Sequence, residues 1–366
     1  MKRKIRLGIL FGGRSAEHEV SLQSAKNVVE AVDREKYDLV LITIDKQGQW
    51  HLADTSAFLL NPDDPQRIKL VPSEDKLGIV LGDEKQPFVR LKNKAPIEPL
   101  DVIFPVLHGP YGEDGTIQGL LKLADVPFVG ASVLGSAVGM DKDVMKRLLK
   151  DAGVPIARSV TLSREKGEHP GFQELTERLG LPLFIKPANL GSSVGVHKVR
   201  SGEQFESALH DAFQFDSKIL VEEFIEGREI ECSVLGNEDP IASVPGEILL
   251  QHDFYSYEAK YIDEKGALLE IPAELPPDVV RSIRNMAVRS FQALCCEGMA
   301  RVDLFLRGHD EIIINEINTI PGFTRISMYP KLWEASGISY GELIDRLVTL
   351  AMKRHEREKT LKTSYV

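Results

Sequence analysis

Two apolar runs near the carboxyl end of the chain constrain its fold more than any other feature. Residues 302–306 and 312–317 are rich in branched aliphatic side chains, which favour β-strands. The polar segment 307–310 between them is typical of a hairpin turn. Because burying a polar group without a partner is costly, each polar residue inside these strands needs a specific role.

Three oxygen-bearing side chains, Asp303, Glu316 and Asn318, belong to this predicted hairpin. Strand side chains alternate, so Glu316 and Asn318 share a face. A four-residue turn would set residue 303 opposite residue 314 and bring Asp303 to that face beside Arg301. Such oxygens suit Mg²⁺, which commonly bridges substrate phosphates. The alternative is a surface hairpin in which Arg301 pairs with the carboxylates, and a one-residue change of register would turn Asp303 away.

The size and charge of the chain exclude some classes of protein. At 366 residues, two or three domains are expected, and 43% hydrophobic residues supply ample core material. The formal net charge of -10 disfavours nucleic acid as a partner. A locally basic cleft for a small phosphorylated ligand remains compatible with this charge.

The cysteines and the start of the chain indicate a cytoplasmic protein. Cys232, Cys295 and Cys296 have no CxxC spacing, which argues against a disulfide framework and a zinc site. A basic start followed by an apolar run imitates a secretion signal, but Arg6 interrupts the run. We expect no membrane span, because no long apolar stretch occurs.

The first section of the sequence predicts a parallel α/β sheet. Residues 5–10, 39–44 and 102–107 have the composition of buried strands, and residues 21–32 have the spacing of a helix. The full G-x-G-x-x-G fingerprint is missing after the first strand, which argues against NAD. Residues 54–99 contain six prolines and are predicted to be an irregular insertion.

The rest of the chain predicts two further sections. The expected elements are helices at 141–152, 202–213 and 340–354, strands at 183–186, 195–199 and 219–222, and a long loop at 246–271. The predicted domains are residues 1–130, 131–222 and 223–366.

A glycine-rich segment and two lysines suggest a phosphate site. The loop 191–195 lies between two predicted strands, and its glycines would let backbone N–H groups approach phosphate oxygens. Lys186 ends the preceding strand, and Lys142 begins a helix, so both could add positive charge. A flexible hairpin tip and a solvated Lys142 are the alternatives.

A linker between the second and third sections could hold a nucleoside. Ligands favour clefts between domains, and apolar residues there can sandwich an adenine while a carboxylate binds ribose hydroxyls. Taken singly, Phe224 and Ile225 would more often be core residues.

Nine motifs occur together in one order over nearly the whole chain. They are residues 12–21 (GGRSAEHEVS), 107–109 (LHG), 112–115 (GEDG), 140–142 (MDK), 186–195 (KPANLGSSVG), 257–261 (YEAKY), 301–303 (RVD), 315–319 (NEINT) and 321–322 (PG). This set resembles the signatures of the ATP-grasp D-alanine:D-alanine ligases, in particular the A-type bacterial enzymes. The resemblance implies a three-domain α/β ATP-grasp fold with an N-terminal Rossmann-like parallel sheet domain.

The resemblance also implies an activity: ATP phosphorylates the carboxylate of one D-alanine, and the amine of a second attacks the acyl phosphate. The product, D-alanyl-D-alanine, would serve peptidoglycan synthesis. Two Mg²⁺ ions, with Mn²⁺ possible, would be held by Asp303, Glu316 and Asn318. A homodimer is implied as well.

Residue roles carried over from the family fall into three groups. The ATP-binding residues would be Lys142, Lys186, Ser192, Ser193, Glu222, Phe224, Ile225, Glu229 and Lys260. The substrate-binding residues would be Glu17 and His108 for the first D-alanine and Ser327 and Met328 for the carboxylate of the second. The catalytic residues would be Arg301 and the Gly322 N–H at the oxyanion, and a hydrogen-bonded set of Glu17, Ser192 and Tyr261.

Simpler roles exist for several of these residues. Glu17 could merely favour the dipole of the following helix, and His108 could be a structural histidine. Residues 252–261 would form a lid that excludes water, or an ordinary Ω-loop.

Two other functions agree less well with the sequence. A related ligase that uses D-lactate is disfavoured by Tyr261, because such relatives often carry Phe there. A catalytically silent ATP-binding protein is expected to lack metal ligands or the oxyanion arginine, and none of these is missing.

Overall fold

Three large β-sheets follow one another along the described part of the chain, and two small two-stranded sheets accompany the first. The computed structural model describes residues 3–82, 86–167, 169–250, 267–362 and 364. Lys260, Tyr261 and the whole predicted lid, residues 252–261, lie outside the described residues. Within the described part of the chain, no helix is both long enough and apolar enough to cross a membrane.

The first sheet is mostly parallel, as predicted. The elements of this part of the chain are β1 Ile5–Gly12, α1 His18–Ala31, β2 Tyr37–Ile44, β3 Trp50–Ala53, β4 Leu59–Leu60, β5 Lys69–Leu70, β6 Leu77–Ile79, β7 Phe88–Arg90, β8 Val102–Val106, α2 Thr116–Leu123, α3 Val133–Met140 and α4 Lys142–Asp151. The strand order is β3-β2-β1-β8, with β2 and β8 parallel to β1 and β3 antiparallel at the edge. The parallel strands therefore end at one edge of the sheet, where loops can build a site.

The segment 54–99, predicted to be irregular, contains two small hairpins. Strands β4 and β5 pair with each other, as do β6 and β7, and all four are two or three residues long. The prediction of no regular structure was therefore wrong, although the prolines do keep every element short.

The second sheet is antiparallel. Its part of the chain contains β9 Ser159–Ser163, a 3₁₀ turn Arg164–Lys166, α5 Phe172–Leu179, β10 Leu183–Pro187, β11 His197–Val199, α6 Gly202–Phe215 and β12 Lys218–Glu223. The strand order is β11-β10-β12-β9. Helices α5 and α6 cover one face through a core that includes Leu175 and Phe205.

The third sheet holds the hairpin with which the sequence analysis began. Its elements are β13 Arg228–Gly236, β14 Ile241–Ala242, β15 Gly246–Leu250, β16 Ala267–Glu270, α7 Pro277–Ala293, β17 Gly298–Arg307, β18 Glu311–Asn318, α8 Met328–Ala335 and α9 Tyr340–Lys359. The strand order is β16-β15-β13-β17-β18, and β14 pairs with β13. The prediction of a loop over residues 246–271 was therefore wrong at both ends, where strands β15 and β16 pair with each other.

The register of the β17–β18 hairpin differs from the predicted one. Asp303 pairs with Glu316 instead of residue 314, because Arg307 already pairs with Glu311 and a bulge follows between Asp303 and Leu304. The shorter turn and the bulge each shift the partner by one residue. Together they keep Asp303, Glu316 and the Arg301–Asn318 pair on one face.

The sections share cores across their boundaries. Leu343 and Leu347 of α9 pack into the core of the first sheet, and Met145 and Leu149 of α4 pack into that of the third. Arg354 of α9 donates hydrogen bonds to the carbonyl oxygens of Phe128 and Gly130. The three domain boundaries stay a prediction.

Candidate active site

Two cavities meet where the three sheets converge, and they share Gly191, Ser192 and Glu316. The larger, about 390 Å³, is lined by most of the predicted ATP residues: Lys142, Lys186, Ser193, Glu222, Phe224, Ile225 and Glu229. The smaller, about 70 Å³, is lined by the predicted substrate and oxyanion residues: Glu17, His108, Arg301, Gly322, Ser327 and Met328, with Asn318. All the described site residues except Asp303 therefore line one of two adjoining chambers.

One end of the larger cavity is aromatic. The rings of Phe184 and Phe224 stack with centroids 6.0 Å apart, and Lys198 Nζ lies 4.4 Å from the Phe224 centroid. Phe224 is 38% exposed, so the alternative of a core residue is excluded for it, whereas Ile225 is 5% exposed and packs with Ala157. Such a surface suits a flat heteroaromatic ring.

Phe184 and Lys198 were missed by the sequence analysis. Phe184 lies two residues before Lys186 on strand β10 and so shares its face, a signal that strand alternation offered. Lys198 lies on β11 directly opposite Phe184. Only the pairing of β10 with β11 brings Lys198 to the cavity.

The glycine-rich loop closes over both cavities. Ser192 and Ser193 have φ of 51° and 59°, a left-handed conformation that is costly for residues other than glycine. The Ser192 hydroxyl donates a hydrogen bond to Glu17 Oε1, which ties the loop to the first sheet. Glu17 makes no capping hydrogen bond to α1, so its side chain is directed to the site and not to the helix end.

Lys142, at the start of α4, is buried at the end of the larger cavity nearer the glycine-rich loop. It is 7% exposed, which excludes the alternative of a solvated helix position. Its Nζ donates to the Leu190 carbonyl oxygen at 2.7 Å and lies 3.3 Å from Glu316 Oε2. Asp141 caps the helix by accepting hydrogen bonds from the N–H groups of Asp143 and Val144, which fixes where Lys142 begins it.

Two lysines flank Glu222 at the wall of the cavity. Lys186 Nζ lies 2.7 Å from Glu222 Oε2, and Lys146 Nζ lies 3.0 Å from Oε1. Burial opposes ionisation of Glu222, yet the two ammonium groups together lower its pKa. Lys146 was also missed by the sequence analysis, because it looks like an ordinary helix lysine.

The hairpin fixes a guanidinium between carboxylates. Arg301 donates from Nε and Nη2 to the two oxygens of Asp303, both at 2.7 Å, and its Nε lies 2.8 Å from Glu231 Oε2. Asn318 Nδ2 donates to Asp303 Oδ2 at 2.9 Å. Glu231, on β13 directly opposite Asp303, was not predicted. A guanidinium held by fixed partners is a preorganised donor.

Glu113 is a further site residue that the sequence analysis missed. It lines the smaller cavity with Glu17 and accepts hydrogen bonds from the N–H groups of Gly109 at 2.8 Å and Ile320 at 3.2 Å. Burial, with the neighbouring Glu17 carboxylate adding to the effect, raises the pKa of Glu113 to about 8. Its signal was present in the motif at residues 112–115. Two acids so placed suit a cationic ligand group.

His108 is held on both sides of its ring. Its Nδ1 lies 3.1 Å from the Ile320 carbonyl oxygen, and its Nε2 lies 3.2 Å from Ser24 Oγ. Burial lowers the pKa of His108 to about 4, so the ring is neutral near pH 7, and Nδ1 donates to the carbonyl. The geometry fits the structural alternative as well as an orienting role, because the ring also lines the smaller cavity.

Gly322 and Ser327 lie in contact at the wall of the smaller cavity. A Cβ atom at residue 322 would lie 2.6 Å from Ser327 Oγ, so a side chain there would displace the serine. The Ser327 hydroxyl lies 2.8 Å from Thr324 Oγ1, and Met328 begins helix α8. Within this segment the N–H groups of Phe323 and Thr324 donate to Ser24 Oγ and Ser327 Oγ, and the Ser327 N–H donates to the Thr324 carbonyl oxygen.

The predicted metal residues do not supply a complete set of ligands for a hard cation by themselves. Asp303 and Glu316 are directly opposite each other, and Asn318 is opposite Arg301. The described residues contain no group of three His, Cys, Asp or Glu side chains placed to hold a metal ion. The set therefore depends on the amide oxygen of Asn318 and on ligands from a bound substrate, which is how Mg²⁺ is commonly held.

Both the N-terminal and the C-terminal parts of the chain match a known enzyme family. The family described as D-ala D-ala ligase N-terminus matches residues 6–131, and that described as D-ala D-ala ligase C-terminus matches residues 148–349. A D-alanine–D-alanine ligase from Oceanobacillus iheyensis is 60% identical over 364 residues, covering 100% of this chain and 99% of the relative. D-alanine–D-alanine ligase A from Escherichia coli is 56% identical over 361 residues, covering 99% of each.

Solved structures agree with this likeness. The D-alanine-D-alanine ligase from Coxiella burnetii superimposes with a TM-score of 0.84 at 39% identity, covering 98% of this chain and 96% of that one. The VanG D-Ala:D-Ser ligase from Enterococcus faecalis gives 0.83 at 36% identity, covering 95% and 100%. The predicted α/β ATP-grasp fold is confirmed. With both family matches and full-length relatives in agreement, the chain belongs to the D-alanine–D-alanine ligase family.

Proposed function

We propose that this protein joins two D-alanines to D-alanyl-D-alanine with conversion of ATP to ADP and phosphate, for peptidoglycan synthesis. The observation that carries the proposal is the pair of adjoining cavities, of about 390 Å³ and 70 Å³, that share Gly191, Ser192 and Glu316. A nucleotide in the larger chamber would end where the smaller one begins. Its terminal phosphate would then face a small amino acid.

The larger cavity supplies what ATP binding needs. The Phe184 and Phe224 rings offer a stacking surface for adenine, and Glu229 lies at the cavity wall for the ribose hydroxyls. Lys142 and Lys186 supply positive charge at the end nearer the glycine-rich loop. Backbone N–H groups of Ser192 and Ser193 would complete the phosphate cradle. Lys260 is proposed to add a further cation from outside the described residues.

The smaller cavity supplies what two amino acids need. Glu17 would bind the ammonium of the first D-alanine, with Glu113 beside it and His108 as an orienting residue. Ser327 and the backbone of Met328 would bind the carboxylate of the second. Holding both substrates side by side favours reaction by proximity.

The chemistry proceeds through an activated carboxylate. The first D-alanine's carboxylate takes the γ-phosphoryl group of ATP, which turns a poor electrophile into an acyl phosphate and releases ADP. The amine of the second D-alanine attacks the carbonyl carbon, loses a proton, and phosphate leaves. Arg301 and the Gly322 N–H would stabilise the oxyanion of the tetrahedral intermediate. Tyr261, with Glu17 and Ser192, is proposed to close the first subsite.

A divalent cation, Mg²⁺ or Mn²⁺, would be held by Asp303, Glu316 and Asn318, and two such ions are proposed. When bound, they would supply charge neutralisation at the phosphates. The ion pair between Lys142 and Glu316, at 3.3 Å, places a protein cation at the same point. Glu316 is therefore the carboxylate that joins both chambers.

An assay of phosphate release tests the proposal. The purified protein is incubated with ATP, Mg²⁺ and D-alanine, L-alanine, D-serine or D-lactate, and the product is identified by mass spectrometry. We expect D-alanine-dependent phosphate release with formation of the D-alanyl-D-alanine amide. Equal turnover with L-alanine, or an ester product with D-lactate as the preferred acceptor, would contradict it.

Three further expectations depend on the family likeness. The domain boundaries at residues 1–130, 131–222 and 223–366, a homodimeric assembly and a cytoplasmic location are proposals. Light scattering of the purified chain tests the assembly.

A further inference from the structure

Lys146 is a buried lysine that the proposed reaction does not use. It lies on α4 and is 3% exposed, and it does not line either cavity of the site. Its Nζ is 3.0 Å from Glu222 Oε1, yet neither atom has a hydrogen-bond partner among the described residues. Burying an ammonium is costly even when it is paired, so this position calls for a reason.

Each carboxylate oxygen of Glu222 contacts a different lysine, and only one of these lysines lines the cavity. Oε1 faces Lys146, which is behind the wall, and Oε2 faces Lys186, which lines the cavity at 2.7 Å from that oxygen. Lys186 also donates to Asn315 Oδ1 at 3.3 Å. One carboxylate is therefore shared by two lysines, and burial lowers the pKa of Lys146 while Glu222 opposes that effect.

The two lysines cannot have the same role when a nucleotide binds. Lys186 has three N–H donors, and turning the one that faces Glu222 Oε2 towards a phosphate would free that oxygen. Without Lys146, that step would leave a buried carboxylate with no cationic partner, which is strongly unfavourable. With Lys146 in place, Glu222 stays ionised and Oε2 becomes available as an acceptor inside the cavity.

We propose that Lys146 is a positioning residue for the nucleotide: it holds Glu222 as a carboxylate, so that Lys186 can move to the phosphates while Glu222 accepts a hydrogen bond from the purine 6-amino group. A carboxylate accepts hydrogen bonds only, so it favours a purine with a 6-amino group over one with a 6-oxo group. The proposal rests on the proposed function only in taking ATP as the nucleotide.

The test compares two lysines of one helix. Lys146→Met keeps the length of the side chain and removes its charge, and Lys150→Met removes an exposed charge one turn further on. Calorimetry measures the binding of ADP and of inosine diphosphate in the presence of Mg²⁺. Steady-state kinetics give KM for ATP, KM for D-alanine and kcat.

The expected result is a selective loss. Lys146→Met should bind ADP at least tenfold more weakly and prefer ADP over inosine diphosphate less than the unmodified protein does, with KM for D-alanine unchanged. Lys150→Met should match the unmodified protein, and Lys146→Arg should recover part of the preference. An unchanged ADP affinity and purine preference in Lys146→Met would overturn the proposal, whatever its thermal stability.

A second variant covers the case in which Lys146→Met does not fold. The double variant Lys146→Met/Glu222→Gln removes both members of the buried pair and so leaves no unpaired charge. It should fold and bind both diphosphates with similar affinity. Retention of the original preference for ADP would overturn the proposal. Calorimetry needs no turnover, so a failure of the ligase assay is distinguishable from a failure here.

Discussion

Arg301 and Asp303, two residues apart on strand β17, are joined by two hydrogen bonds of 2.7 Å each. Residues i and i+2 of a strand share a face, and Glu231 on the neighbouring strand holds the same guanidinium at 2.8 Å. The proposed oxyanion donor is therefore oriented by a proposed metal ligand. Donor and cation site would be set relative to each other before substrate binds.

Replacing Arg301 should therefore reduce turnover more than nucleotide binding. In Arg301→Met we expect kcat to fall by roughly 10²–10³-fold, the usual effect of removing one oxyanion donor. ADP affinity, measured by calorimetry, should change little. Arg307→Met, at the exposed far end of the same strand, is the control and should keep full activity. A kcat for Arg301→Met within twofold of the unmodified enzyme would rule out the oxyanion role.

Glu316→Gln tests the proposed cation site. The change removes one charge from the face of the hairpin and leaves the shape of the side chain unchanged. We expect turnover to be abolished or reduced more than 100-fold, and the Mg²⁺ concentration for half-maximal rate to rise, because an amide binds a hard cation more weakly than a carboxylate does. Rates are measured over a Mg²⁺ titration.

The control for this variant lies on the same strand. Glu311 pairs with Arg307 at the exposed end of β18, away from both cavities. Glu311→Gln should behave as the unmodified enzyme, since exposed ion pairs contribute little. Full activity of Glu316→Gln at low Mg²⁺ would contradict the cation site.

The hairpin shows what the sequence could and could not predict. Composition and alternation were enough to predict two paired strands and the face that carries Asp303 and Glu316. The register was wrong, because neither the turn length nor the bulge between Asp303 and Leu304 has a signal in residue alternation. Two one-residue shifts in the same direction restored the predicted face.

The missed site residues have two causes. Glu113 and Phe184 had signals, in the motif at residues 112–115 and in strand alternation, that were not used. Lys146, Lys198 and Glu231 reach the site only when elements distant in sequence pack together, as Glu231 does opposite Asp303. A single sequence gives the chemistry of a side chain but not its neighbours. Resemblance supplied part of this information, since Arg301 and Gly322 were assigned from motifs and not from any physical pattern.

Glu113→Gln tests the second carboxylate of the smaller cavity. At pH 9, above the pKa of about 8 that burial gives Glu113, we expect KM for the first D-alanine to rise about tenfold, roughly 1.4 kcal/mol, because one negative charge near the proposed ammonium site is lost. The thermal midpoint should also fall, since one amide oxygen must replace two acceptors for the Gly109 and Ile320 N–H groups. Glu98→Gln, an exposed carboxylate of the same sheet region, should change neither quantity. An unchanged KM with a lowered midpoint would limit Glu113 to a structural role.

Because His108 is buried and neutral, we expect the folding stability of the protein to fall in acid. Unfolded His108 would bind a proton below about pH 6.5, whereas burial lowers its folded pKa to about 4. Between these values the unfolded state binds more protons, so stability falls as the pH falls, by about 2 kcal/mol at pH 5 relative to pH 7 from this group alone. His108→Gln does not titrate and can donate to the Ile320 carbonyl and accept from Ser24, so its urea unfolding midpoint should depend less on pH over this range. His309→Gln, in the exposed hairpin turn, is the control and should follow the unmodified protein. If the midpoints of His108→Gln and the unmodified protein fell in parallel from pH 7 to pH 5, the neutral buried imidazole would be refuted.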